Sequence, residues 1–531
     1  MEKKTPLMQF QLNNFKSLIF RNIPIISILI LALVYRLYKI ADYMTFLGDE
    51  GRDVLAVYNI LHGKLTLLGP TSSVGGFFLG PIYYYFMAPF LLIFNYNPVG
   101  PAVMVALFGI ATVWLLYRVT SEILGKNAAI FASLLYAISP LVVSYSRSSW
   151  NPNLMPFFTL LCLYTLYKGV LKNKYLYFLI TGALYGILMQ LHYIEFFVGG
   201  IIFLYLLITQ FLKKDDFKKQ IFLLFKKYLL ILTGFVIGFS PFLAFEARHG
   251  FPNTQSIVKF IFNSPNVSSN GGIINIIGEV FFRLFARLVA NFPPPEQIVN
   301  YSKDAVLLWT MGVILLAVTS FGFFLYKFYE SLRKNDEKKP LYLLIVLWFI
   351  VGVLLFGFYK KPIYDYYFQF LFPLPFILVG NLIGGIYKYK NSINFKIIAL
   401  LIFGIIFVLN LYGIPFRYPP NRQLNQMKTI ADFVMTRTDA KPFNFALITG
   451  GNSDHAYRYF FTIWNHPPIT IEHGSENKTV TDQLFIVCES LPCEPLGHSL
   501  WEIAGFGRAE IAGKWKVSVV EVYKLVHYKG Q

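Results

Sequence analysis

Repeated apolar runs of roughly 20 residues, each long enough to cross about 30 Å of hydrocarbon, constrain this chain more than any other feature. A helix is the one open structure that satisfies its own backbone in lipid, so these runs dictate a polytopic α-helical membrane protein. Composition agrees: of 531 residues, 56% are hydrophobic, 18% aromatic and 14% charged, whereas soluble domains carry about 25% charged residues. The net charge of +19 does not point to nucleic acid, because Lys and Arg stand in short tufts between the apolar runs.

Eleven spans are expected, near 22–41, 99–117, 127–143, 153–168, 175–192, 194–212, 224–243, 304–326, 340–358, 367–387 and 396–414. The first run ends in Tyr35, Arg36 and Tyr38 rather than in small residues, and reads as a retained span after a cytoplasmic segment 1–21, with Arg36 snorkelling near its outer end. With the N-terminus inside, the tufts Arg118 and Lys126, Lys168 to Lys174, Lys213 to Lys227, Lys327 to Lys339 and Lys388 to Lys396 all fall on the inner face. This register needs the short, Pro-containing run 80–94 to be a juxtamembrane or re-entrant helix inside a first outer loop of about 42–98. Counting it as a span would put every later lysine tuft outside.

From about 416 the composition turns polar. Strands are expected at 446–449, 484–489 and 517–525, and helices at 424–436 and 454–464, giving a small extracytoplasmic α/β domain, 416–531, behind a transmembrane domain, 22–415. Cys488 and Cys493 are close enough in sequence for a disulfide in an oxidising compartment, and Cys162 reads as packing within a span. Asn266 and Asn477 fit the glycosylation sequon, a pattern common by chance.

Four charged residues, Asp49, Glu50, Arg52 and Asp53, follow directly on the first span. A carboxylate in a partly dehydrated aromatic setting suits deprotonation of a hydroxyl acceptor, which makes Asp49 and Glu50 catalytic candidates. The plainer reading has Asp49 as the N-cap of a following helix, with Arg52 and Asp53 as first-turn residues. Other turns assigned to the same face offer Arg147, Asn151, His192, Glu246, Arg248, His249, Lys360, Lys361 and Tyr366. Arg and Lys among them could hold a lipid phosphate, while any one taken alone reads as an interfacial anchor. No P-loop, no G-x-G-x-x-G after a strand, no H-E-x-x-H and no paired C-x-x-C is present, so a nucleotide-bound donor has no evident site.

The acidic pair after the first span, the GPIYYY segment, the YSRSSWNPN turn and the aromatic, lysine-containing loop KKPIYDYYFQ together resemble the GT-C superfamily of membrane glycosyltransferases. Within it, the chain looks most like the protein O-mannosyltransferase and aminoarabinose transferase branch, family 39, over residues 20 to about 415. The resemblance implies transfer of a sugar, with inversion, from a polyprenyl phosphate to an acceptor hydroxyl on lipid, cell-wall glycan or protein, at the outer face of the plasma membrane. It implies Asp49 as general base with Glu50 beside it, and Lys361, Lys360 and Arg147 on the donor phosphate. No cofactor is required by that scheme, which leaves room for a divalent metal. The competing class is a transporter or lipid-linked saccharide flippase, which would be expected to place ionisable groups near the membrane midplane in two related halves.

Overall fold

The computed structural model describes residues 6–72, 75–212, 216–263, 272–359, 361–528 and 530. Every expected run is helical. Among the described residues seven helices are by themselves long and apolar enough to cross a membrane, and Asp365–Leu371 with Pro373–Asn391, bent by 59°, makes an eighth. The remaining three expected spans are the shorter apolar helices Asn22–Leu37, Lys126–Ile138 and Tyr175–Leu191. The run read as juxtamembrane is a helix of 12 residues, Ile82–Ile93, about 18 Å long and too short to cross.

Two expected boundaries are wrong for local reasons. The span drawn at 127–143 breaks at Ser139, because Pro140 cannot continue the ladder and opens a separate helix, Pro140–Tyr145. The segment 244–303, drawn as loop, contains the helices Pro252–Asn263 and Ile273–Ala286. The second has one wide apolar face and Glu279 and Arg283 on the other, an amphipathic pattern that a search for long apolar runs passes over.

Arg36 does not snorkel. Its side chain is buried inside the bundle, where one guanidinium nitrogen donates to the Ala137 carbonyl at 3.0 Å. Gly109 makes this possible, since a Cβ there would lie 2.9 Å from Arg36 Nε.

The C-terminal domain is a four-stranded sheet, order β1-β2-β4-β3, formed by Asn444–Ile448 (β1), Gln483–Cys488 (β2), Ala509–Val517 (β3) and Val520–His527 (β4). β1 and β2 are parallel and the other pairings antiparallel. The expected helices are Gln423–Arg437 and His455–Ile463; β3, an exposed edge strand with weak alternation, was not expected. Cys488 and Cys493 form a disulfide, and Cys162 is buried and free. The helix His455–Ile463 lies against Gly48–Leu61, the helix that carries the acidic cluster and is called here the acid helix. The backbones approach so closely that a Cβ on Gly51 would sit 2.2 Å from Ala456 N, so only glycine fits.

Candidate active site

Helix starts leave N–H groups without partners and favour negative charge, and the acid helix uses both properties. Leu47 N donates to Glu50 Oε2 at 3.0 Å, and Gly48 N donates to Asn452 Oδ1 of the C-terminal domain at 2.8 Å. Asp49 is therefore not the cap. Its carboxylate is more than half exposed and pairs with Arg52 at 2.9 Å. Arg52 turns its Nε and other terminal nitrogen onto Asp53 Oδ1 at 3.0 and 2.9 Å, and Tyr84 OH donates to the same oxygen at 3.2 Å. Burial pushes the Glu50 carboxyl up to about 7 against the pull of its backbone hydrogen bonds, and the Asp53 carboxyl up to about 6 against the Arg52 charge.

Two cavities meet at this helix, and a third lies beyond Ser144. The central one, of 750 Å³, is lined by Thr45, Leu47, Gly48, Asp49, Glu50, Ser144, Tyr145, Ser148, Trp150, Asn153 and the loop 450–453, within the ~300–1,000 Å³ typical of small-molecule sites. A narrow aromatic cavity of 40 Å³ lies on the other side of Asp49 and Trp150, walled by Arg52, Asn151, His192, Tyr193 and Tyr366 among others. Asp49 and Trp150 line both. The third, of 870 Å³, shares Ser144 with the central cavity and is lined by Arg287, Asn291, Pro293, Trp309, Tyr412 and Arg417 among others. It lies at the ends of Lys303–Arg333 and Ile393–Tyr412, spans that are only 17% buried and form the periphery of the bundle.

The turn 146–154 holds the walls in register. Thr45 N donates to Ser148 Oγ at 3.0 Å, Asn153 Nδ2 to the Ser148 carbonyl at 2.9 Å, and Gln369 Nε2 to Asn153 Oδ1 at 2.8 Å. Asn151 donates to the Leu191 carbonyl, which ties this turn to the one carrying His192. His192 Nδ1 accepts the Ile194 N–H at 3.2 Å, and the Tyr366 ring meets Trp150 edge-on at 4.6 Å.

Of the residues expected from sequence, Asp49, Glu50, Arg52, Asn151, His192 and Tyr366 converge on these cavities. Arg147 does not. It is 1% exposed, and its terminal nitrogens donate to the Tyr35 and Tyr38 carbonyls at 2.6 Å each, so its charge holds the end of the first span. Glu246 is likewise occupied, accepting from the N–H and side chain of both Asn253 and Thr254 at 2.7 to 3.2 Å; it caps Pro252–Asn263. Arg248 and His249 end Ser240–His249 and line none of the three cavities. Lys361 lies in the turn before Asp365–Leu371, also outside those linings, while Lys360 and Asn266 fall outside the described residues.

Sequence reasoning offered Asp365 with the rest of its loop but missed its partners, Arg283 and Arg287, and missed the loop 450–453. Asp365 receives Arg283 at 3.1 Å through Nε and Arg287 at 3.0 Å, fixing two arginines from the amphipathic helix and the turn after it beside the peripheral cavity. The signal was present as E-x-x-x-R-x-x-x-R at 279–287, a charged stripe at helical spacing. The loop 450–453, Gly-Gly-Asn-Ser, carries no charge and offered no signal beyond that of a turn.

The fold is that of the GT-C membrane glycosyltransferases. The chain superposes on ArnT from Cupriavidus metallidurans bound to undecaprenyl phosphate, with a TM-score of 0.57 and 13% identity over 94% of this chain and 97% of that one. It also superposes on the archaeal oligosaccharyltransferase AglB from Archaeoglobus fulgidus, in complex with an inhibitory peptide and a dolichol-phosphate, with a TM-score of 0.50 and 14% identity over 88% and 69%. Residues 79–245 match the family described as dolichyl-phosphate-mannose-protein mannosyltransferase. YycA of Bacillus subtilis (strain 168), provisionally named a mannosyltransferase, is 27% identical over 162 residues, 30% of this chain and 23% of its own length. The chain thus aligns with less than a quarter of that curated relative.

Proposed function

We propose that this protein is an inverting glycosyltransferase that moves a sugar from a polyprenyl-phosphate carrier to an acceptor hydroxyl at the extracytoplasmic face of a cell membrane. One observation carries the reading: Asp49 stands on the wall shared by two cavities, and a third, peripheral cavity lined by Arg287 and Arg417 shares Ser144 with the first of them. This order of spaces suits an in-line displacement. The carrier reaches the peripheral cavity sideways from lipid, its phosphate meets Arg287 and Arg417, and its sugar occupies the central cavity. The acceptor hydroxyl approaches C1 from the Asp49 side.

In the reaction Asp49 takes the acceptor proton as the acceptor oxygen bonds to C1, while the bond from C1 to the phosphate oxygen breaks and its electrons leave with polyprenyl phosphate. The leaving phosphate gains charge, and fixed guanidinium groups meet that charge without a proton donor. Glu50, cap-bound and in the cavity wall, orients acceptor or sugar. The positive-inside distribution supports the outward orientation of the site. GT-C neighbours with lipid phosphates bound support the choice of carrier.

The test is to incubate the purified protein in bilayers with a panel of radiolabelled polyprenyl-phosphate sugars and follow release of polyprenyl phosphate. Release or transfer with at least one sugar is expected. Inertness toward every donor, together with solute or lipid-linked saccharide flux in vesicles, would replace this reading with a transporter.

A further inference from the structure

The C-terminal domain holds the start of the acid helix through one asparagine, and a half-buried carboxylate, Glu489, holds that asparagine. Asn452 Oδ1 accepts the N–H of Gly48 at 2.8 Å and of Ser453 at 2.9 Å. Its Nδ2 donates to both oxygens of Glu489, at 3.2 and 3.0 Å. Glu489 also accepts from Thr449 Oγ1 at 2.9 Å and from Tyr457 OH at 2.8 Å. The amide therefore has one orientation, because only its oxygen can face Gly48 while its nitrogen faces a carboxylate. Two further contacts surround it: Phe46 N donates to Gln423 Oε1 at 3.2 Å, and Gly51 lies against the Ala456 backbone.

We infer that Glu489 and Asn452 are positioning residues that set Asp49 and Glu50 in the central cavity, making the C-terminal domain a working part of the transfer site. Asn452 touches the acid helix one residue before Asp49 and lines the same cavity, so a shift at this contact moves both carboxylates. This rests on the proposed role of Asp49 and Glu50.

A charge-compensation series in the full-length protein tests it. N452D keeps an oxygen for Gly48 but sets two carboxylates against each other; N452D/E489Q restores a donor, now on residue 489, facing an acceptor on residue 452. Two readouts are taken: hydrogen exchange of residues 46–53 and transfer kinetics. N452D is expected to speed exchange of that segment and lower kcat by about tenfold with donor KM within about threefold, and the double variant to recover most of both. Unchanged exchange in N452D, or a double variant no better than N452D, overturns the inference. Exchange is read whether or not transfer occurs, so a protein that exchanges as expected but transfers nothing contradicts the proposed function alone.

Discussion

Asp49 and Arg52 meet at 2.9 Å on the wall between the central and the aromatic cavity, and the same guanidinium covers the buried carboxyl of Asp53. One cation thus joins an exposed carboxylate, free to reach substrate, to an enclosed one that serves as its anchor. Removing it should act on stability through Asp53. R52M is expected to destabilise the folded protein by about 3 kcal/mol, because a buried carboxyl loses its charged partner, and R52M/D53N to regain most of that loss. Thermal unfolding in detergent with both variants checks it; equal stability of R52M and the double variant would remove the anchor role.

Stability should also depend on pH through the acid helix. The Glu50 carboxyl is raised from 4.5 to about 7 and the Asp53 carboxyl from 3.8 to about 6, both chiefly by burial. The folded state therefore holds protons that the unfolded chain releases. Their contribution is complete below the unfolded values and is lost as pH rises through about 6 and about 7. The apparent melting temperature should fall over that interval, and E50Q, which keeps an acceptor for Leu47 N, should flatten the fall. An E50Q profile parallel to wild type would contradict the assignment to Glu50.

The peripheral cavity predicts carrier binding through Arg287. R287Q should weaken binding of polyprenyl phosphate in nanodiscs by about tenfold. R283Q, which alters the other arginine on Asp365 and leaves Arg287 in the cavity wall, should bind within about threefold of wild type. Equal effects of the two would point to the Asp365 cluster as a structural tie only.

Arg147 gives the opposite pattern. Both terminal nitrogens are used on the Tyr35 and Tyr38 carbonyls, a fork that a lysine cannot reproduce. R147K is expected to lower stability by about 2 kcal/mol with carrier affinity unchanged. A loss of carrier affinity without a loss of stability would return Arg147 to the phosphate.

Much of this was legible in the sequence, and the failures have physical causes. Span length, the short helix at 82–93 and the acidic cluster are local signals, and each is where the apolar runs and charges placed it. Arg147 and Glu246 look alike in sequence, polar residues at turns between spans, yet Arg147 is used by backbone carbonyls more than 100 residues away, whereas Glu246 caps the next helix seven and eight residues on. Asp365 gathers Arg283 and Arg287 from about 80 residues away, and Asn452 reaches Gly48 across 404. The stripe Glu279, Arg283 and Arg287 marks a helix face but not its partner, and nothing in either segment pairs Asn452 with Gly48.

The most direct measurement of the central claim is the rate of polyprenyl phosphate release by D49N beside wild type, with the same radiolabelled donor and carrier affinity measured in parallel. The account predicts release reduced by at least about a hundredfold, with carrier affinity and melting temperature close to wild type. Release at the wild-type rate would contradict it and remove Asp49 from the chemistry.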